Sequence, residues 1–154
     1  MRSLTKLAGA AFVGITAATM SVVGAGTASA VDYPAPVPVD PAAFLQGDVA
    51  YFSTGAANCS ITPAGVVGCD LPGGEYLTQI PFAPVVYDVA IDVPWFPAHP
   101  TFGIGGPRGR AGSTPLGGSL SYGGATCNIG VKGSLNCSSM GHSFTVWTPY
   151  MTLS

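Results

Sequence analysis

Charge is what this chain has least of. Five Lys and Arg and seven Asp and Glu make up 8% of its 154 residues, beside only two histidines. So few ionisable groups leave little material for acid–base chemistry. The only basic cluster is Arg108-Gly109-Arg110, whereas tracking a phosphate backbone takes several clustered cations, so nucleic acid is not an expected partner. Catalytic signatures are also missing. There is no G-x-S-x-G elbow, no H-E-x-x-H, no P-loop and no dinucleotide fingerprint, and no C-x-x-C to suggest a thioredoxin-like dithiol. The sequence therefore calls for neither cofactor nor metal.

What is present begins with an export-type leader. Residues 1–30 combine a basic start (Arg2, Lys6), an apolar stretch over 7–23 and a small-residue end, Ala28-Ser29-Ala30, the pattern that a signal peptidase reads. Cleavage is expected after Ala30, and contact with a membrane only during export. Residue 31 is Val and no Cys is near the cut, so a lipoprotein anchor has no attachment site. About 124 residues remain, the size of one domain. Without Arg2 and Lys6 the formal charge is 3 minus 7, or -4. The expected product is secreted, extracellular or associated with the cell wall.

Four cysteines, an even number on an exported chain, point to disulfides. Cys59 to Cys69 and Cys127 to Cys137 each enclose nine residues, both segments read C-x-I-x3-G-x3-C, and their offset is 68 positions (127 minus 59). Folding each segment about its midpoint sets Cys59 opposite Cys69 around Pro63-Ala64-Gly65, and Cys127 opposite Cys137 around Val131-Lys132-Gly133. A three-residue hairpin loop is commonly a type I turn closed by a left-handed residue, so it wants Gly in third place, and both loops have it. With Thr62 and Val66 as a hydrogen-bonded pair, alternation makes Cys59 and Cys69 a non-bonded pair with alpha carbons ~4.5 Å apart, within disulfide reach. Cys59, Ile61, Val67 and Cys69 then share one face, as do Cys127, Ile129, Leu135 and Cys137, and that face is expected to be buried.

The rest of the chain reads as strands and loops. Residues 31–46, with Pro34, Pro36, Pro38 and Pro41, are expected to form an extended, polyproline-like arm. A single domain over 47–154 follows, with an internal repeat at about 52–71 and 120–139. Strands are expected at 49–52, at 76–80 after a Pro-Gly-Gly turn at 72–74, at 85–93 with Tyr87, Val89, Ile91 and Val93 on one face, at 119–122 and at 143–148. Residues 94–118 form a long irregular connection, of the kind that often carries function. Its Trp95, Phe96 and Phe102 are expected to form either a lid over the core or an exposed contact patch. With His99, Arg108 and Arg110 they make up the candidate contact surface. The fold class expected is all-β: a small disulfide-stapled sandwich or open barrel built from two related hairpin units.

Chemistry has few places to reside. His142 beside Ser143 is the best candidate for a base and nucleophile, although neighbours on a strand point to opposite faces. Asp88 and Asp92 share a face of one strand, ~13 Å apart, too far for a shared proton or a common metal ion.

The run Phe52-Ser53-Thr54 to Cys59-Ser60-Ile61, through Gly65 to Cys69-Asp70-Leu71, followed by the pair Cys127 and Cys137 and by Gly141-His142-Ser143-Phe144, resembles a family of small exported actinobacterial (mycobacterial- or nocardial-type) proteins of unknown function. In that family an F-x-S-P-S-G-N-I-x-C type segment leads into a short disulfide hairpin, and a later cysteine pair precedes a G-H-G-F type ending. This chain has Thr-Gly-Ala-Ala at 54–57 and Ser143 where that family has Pro-Ser-Gly-Asn and Gly. The resemblance implies export and two short disulfide hairpins, and no catalytic residue. In architecture the chain is also similar to the antitumour chromoprotein carriers, exported β-sandwiches with two disulfides that hold an apolar ligand in a cleft.

These readings lead to an exported, monomeric, non-catalytic envelope or extracellular protein that acts by binding a ligand or partner that the sequence does not name. Three alternatives stay open: a carrier of a small apolar ligand, a small secreted hydrolase using His142 or His99, and a protease inhibitor presenting residues 94–107.

Overall fold

A computed structural model describes residues 34–82 and 85–154. The leader read from residues 1–30 lies outside them. Tyr33–Ser154 is one compact unit, and its described residues are all-β, a sheet curled into an open half-barrel. Of the two architectures expected, the open barrel is the one adopted.

The strands are β1 (Leu45–Gln46), β2 (Val49–Ser53), β3 (Asn58–Ile61), β4 (Val67–Leu77), β5 (Val86–Ile91), β6 (Thr114–Pro115), β7 (Ser119–Tyr122), β8 (Ala125–Ile129), β9 (Leu135–Ser139), β10 (His142–Trp147) and β11 (Tyr150–Leu153). They are ordered β1-β2-β3-β4-β11-β10-β9-β8-β7, with β5 also on β4 and β6 also on β2. Neighbours run antiparallel except β11 on β4 and β6 on β2.

Both cysteine hairpins form with the expected register. Ile61 pairs with Val67, Ser60 with Gly68 and Cys59 with Cys69, and Thr62 N–H donates to Val66 O at 2.9 Å. Both disulfides are closed, across alpha carbons 4.0 and 4.1 Å apart. Gly65 and Gly133 take the positive φ that the loops require, 78° and 77°. The second loop departs in one respect, since Lys132 also sits at positive φ, 57°, so the two turns differ although their glycines match.

The repeat extends further than the cysteine spacing revealed. In the first unit Phe52 pairs with Cys59, Cys59 with Cys69 and Cys69 with Val89. In the second, Leu120 pairs with Cys127, Cys127 with Cys137 and Cys137 with Phe144. Each disulfide thus lies in a four-strand ladder between two apolar side chains, and all eight residues are buried in the core. β11 joins the units, pairing with β10 on one side and with β4 on the other.

Three expectations need correction. Pro-Gly-Gly at 72–74 is not a turn. β4 runs through it to Leu77, while the pairing with β5 slips from Asp70↔Asp88 to Glu75↔Val86, five steps on one strand against two on the other. Pro cannot donate to a ladder and is tolerated at such a bulge. Gly74 is needed there, because at φ 69° a Cβ would lie 2.3 Å from the Val85 side chain. Residues 78–80 accordingly belong to a turn and not to a strand.

The arm, second, is shorter than residues 31–46. Val39 N–H donates to Ser119 O and Ser119 N–H to Val37 O, at 2.9 and 2.8 Å, along the free edge of β7. Pro41–Phe44 is a 3-10 turn capped by Asp40, with Phe44 buried in the core, and β1 then pairs with β2. Segment 37–46 therefore links the two ends of the curled sheet. Pro suits a first helical turn, where its missing N–H is not needed.

Third, the strand expected over 85–93 is β5 over the six residues Val86–Ile91, and Tyr87, expected on one face with Val89 and Ile91, is 62% exposed while those two are buried.

Candidate functional site

The residues singled out in the long connection do not form one surface. Trp95 packs edge-on to Phe96, and Phe96 to His99, with centroids 6.0 and 4.8 Å apart. His99 Nδ1 lies 3.0 Å from Pro97 O and Nε2 lies 3.6 Å from Asp92. Trp95 and Phe102 are 80% and 72% exposed, which corrects the lid reading: these aromatics are displayed, and the core is closed without them. Arg110 lies elsewhere, over the Tyr51 ring at 4.5 Å and 2.6 Å from Gln46 Oε1.

Two aspartates hold the connection in place. Asp70 and Asp88 are direct partners across β4 and β5, an arrangement that is unfavourable for like charges unless donors surround them. The connection supplies those donors. Asp88 accepts from the backbone N–H of Thr101, Phe102 and Gly103 and from the Thr101 hydroxyl. Asp70 accepts from the N–H of Arg108 and Gly109, both at 2.9 Å. The Arg108 guanidinium turns back onto Thr101 Oγ1 and Ile104 O. The pair Arg108 and Arg110 is thus committed to internal contacts and does not make an anion site. Burial opposes ionisation of Asp88, but the hydrogen bonds together outweigh it and hold the carboxyl below its ordinary value.

Among the described residues no hydrogen bond or ion pair joins His142 to a nucleophile or a carboxylate: its Nε2 sits 3.1 Å from Pro94 O, its cross-strand partner Ser139 donates to Gly65 O, and Ser143 Oγ meets Ser154 Oγ. The hydrolase alternative therefore finds no dyad at His142 among the described residues.

The site that geometry does build lies where the two repeats meet. A groove of about 880 Å³ runs between the β2–β3 turn of the first unit and the β8–β9 turn of the second, walled by Val131, Lys132, Leu135, Val146 and Trp147. Ligand pockets commonly fall in this size range and combine an apolar wall with a few polar groups. A smaller pocket of about 190 Å³ adjoins it, sharing Gly55, Ala56 and Thr148, with Thr54, Asn58 and Glu75 on its walls. The rim is rigid at the first turn, because Thr54 Oγ1 accepts from the N–H of Ala56 and Ala57. Lys132 makes no ion pair among the described residues.

Glu75 is the unusual member of this set. It is 1% exposed, placed inward just after the β4 bulge. Tyr76 N–H donates to Pro149 O at 2.8 Å, which docks the β10–β11 turn beside it, and the Thr148 hydroxyl donates to Glu75 Oε1 at 2.7 Å. Its other oxygen, Oε2, is buried and has no hydrogen-bond partner in the structure. Native folds rarely leave a buried polar atom unpaired, and such an atom calls for an explanation. Burial raises the Glu75 pKa, and the Thr148 bond offsets only part of the rise.

A raised carboxyl binds its proton more tightly folded than unfolded, so its contribution to stability is present at low pH. It is lost as pH rises from the unfolded value, near 4.5, through the folded one. Glu75→Gln removes the ionisation but keeps the Thr148 bond. The variant is expected to gain urea resistance over wild type at pH 8 and to match it near pH 4. Parallel pH profiles for the two proteins would contradict this account of Glu75.

Sequence reasoning counted Glu75 only among the carboxylates. A signal was present in the parity of β4, since Cys69, Leu71, Glu75 and Leu77 alternate on the inward side, but the Pro-Gly-Gly break concealed it.

Fold and site together define a class: an all-β half-barrel of two disulfide-stapled repeats with a groove between them. No protein-family model, curated protein or solved structure matches the chain. Two closed disulfides are consistent with an oxidising, extracellular environment.

Proposed function

We propose that this chain is an exported, non-catalytic binding protein of the extracellular space or cell envelope, which takes a small ligand into the groove between its repeats. The observation that carries the reading is the buried, unpartnered Oε2 of Glu75, a residue of the small pocket that adjoins the groove walled by Trp147. A ligand donating one hydrogen bond there satisfies a group that the fold leaves unpaired, and burial of that bond makes it selective. The leader-like residues 1–30, the two disulfides and the resemblance to small exported actinobacterial proteins support the compartment. Glu75 is the one carboxylate on the walls of either pocket, whereas glycoside hydrolysis, for example, uses two, which favours binding over turnover. The polar pocket beside it also sets this groove apart from a cleft for a purely apolar cargo, the runner-up reading.

The test is the thermal unfolding midpoint of the oxidised protein against neutral oligosaccharides, alkyl amphiphiles and aromatic alcohols, for wild type and Trp147→Ala. A ligand at a hundredfold excess over its Kd adds about 2.7 kcal/mol to the folded state, and the variant is expected to lose most of that shift. A shift that survives Trp147→Ala undiminished, or no shift with any compound, would overturn the proposal.

A further inference from the structure

We infer that the ligand of this groove is a neutral, hydroxyl-rich ring, a saccharide unit, seated with its C–H face on Trp147 and its hydroxyls on Glu75 and Asn58. The inference rests on the binding reading above and gives it a substrate class.

Charge excludes the simpler alternatives. Lys132 stands on the groove wall without an ion pair among the described residues, so a cationic ligand meets a like charge on entry. Glu75 lines the adjoining pocket without a cation paired to it among the described residues, so an anionic ligand entering there meets a carboxyl of its own sign. A ligand without charge meets neither penalty.

Hydrogen-bonding capacity points the same way. Glu75 Oε2 has no partner. Asn58 lines the same pocket, and among the described residues no hydrogen bond engages its side-chain amide. The Thr148 hydroxyl is spent on Glu75, and Thr54 Oγ1 accepts from two backbone N–H groups. One carboxyl and one amide with open capacity therefore belong to residues that line a pocket of about 190 Å³. Both are planar groups with two polar atoms side by side, a spacing that adjacent hydroxyls on a sugar ring can match. The adjoining groove is lined by Trp147, 38% exposed at the end of β10, and by Val131. A pyranose has an apolar C–H face and a rim of hydroxyls, so it is complementary to an aromatic wall beside a polar pocket. The outer groove, at about 880 Å³, has room for further units of a chain.

The test is calorimetric titration of the oxidised protein with cellotetraose, maltotetraose, xylotetraose and chitotetraose, and with octylamine and decanoate as charged, non-sugar probes. At least one tetrasaccharide is expected to bind. Trp147→Ala and Glu75→Ala are each expected to weaken it about tenfold or more. Glu75→Gln is expected to weaken it less than Glu75→Ala does, because the amide keeps a polar group that can accept from and donate to a ligand hydroxyl. A purely structural role for Glu75 would move the unfolding midpoint and leave saccharide affinity alone in Glu75→Gln and Glu75→Ala alike. If Glu75→Ala fails to fold, Trp147→Ala still decides. Binding of octylamine with equal loss in Glu75→Gln and Glu75→Ala overturns the neutral-ligand inference. Binding of octylamine or decanoate that Trp147→Ala abolishes, with no tetrasaccharide bound, overturns the saccharide class but leaves the groove as a binding site. Absence of binding by every probe overturns both.

Discussion

Replacing all four cysteines by alanine is expected to lower stability by roughly 5 kcal/mol, the sum of two closures worth about 2.7 kcal/mol each in the chain-entropy model. The two closures span equal separations of 10 residues, so Cys59→Ala with Cys69→Ala and Cys127→Ala with Cys137→Ala are expected to cost similar amounts. The positions make the loss larger than entropy alone. Each bridge fills the middle of a four-strand ladder, between Phe52 and Val89 in one unit and between Leu120 and Phe144 in the other, and truncation there opens space in a packed core. A domain of this size is stable by 5–15 kcal/mol in all, so the quadruple variant is expected to stand at the edge of unfolding at room temperature. Urea midpoints of the two double variants and the quadruple variant measure this. A double variant with an unchanged midpoint would show that its hairpin is held by packing alone.

Asp88→Asn carries the second large effect, about 3 kcal/mol, or a fall in Tm of roughly 10 °C. The Asp88 carboxylate accepts four bonds, two at each oxygen, from Thr101, Phe102 and Gly103. An amide keeps acceptors on one side only and turns an N–H against the donors on the other. Asp70 opposite still holds Arg108 and Gly109, so loosening is expected at 101–103 before 108–109. Hydrogen exchange of those amides separates local from global opening. The pH dependence has the opposite sign to that of Glu75. A carboxyl whose pKa is lowered by folding stabilises above its unfolded value, near 3.8, and the contribution disappears as pH falls through the folded value. Wild type and Asp88→Asn are therefore expected to converge in stability at strongly acidic pH. Equal stability of the two at pH 7 would refute the clamp.

The disulfide hairpins were legible because every requirement was local. Nine-residue spacing, a third-place Gly and the alternation of Ile61 and Val67 with the cysteines all pointed to one register. Legibility ended where structure depends on a distant partner. β4 passes through Pro72-Gly73-Gly74 because Glu75 finds Val86 and Tyr76 finds Tyr150; local turn chemistry, which favours a break at Pro-Gly-Gly, was overridden. β11 was not anticipated at all, being four residues long and defined by β10 and β4 on either side. The opposition of Asp70 and Asp88 follows from the register of β4 on β5, which residues between the strands do not specify. The exposure of Trp95 and Phe102 shows that large apolar side chains in a loop need not close a core. Glu75 was hidden for a related reason: its inward parity has meaning only if the strand continues.

The central claim is that the groove between the repeats, with the Glu75 pocket adjoining it, is the place where this protein binds. The most direct measurement is backbone amide chemical-shift mapping of the oxidised protein during titration with the best-binding tetrasaccharide. The account predicts shifts concentrated at Gly55, Ala56, Lys132, Gly133 and Thr148, with the Trp147 indole N–H moving in step. Shifts gathered instead around Phe102, Gly103 and Gly106, or around Tyr76 and Tyr150, would place binding on another face and contradict the claim.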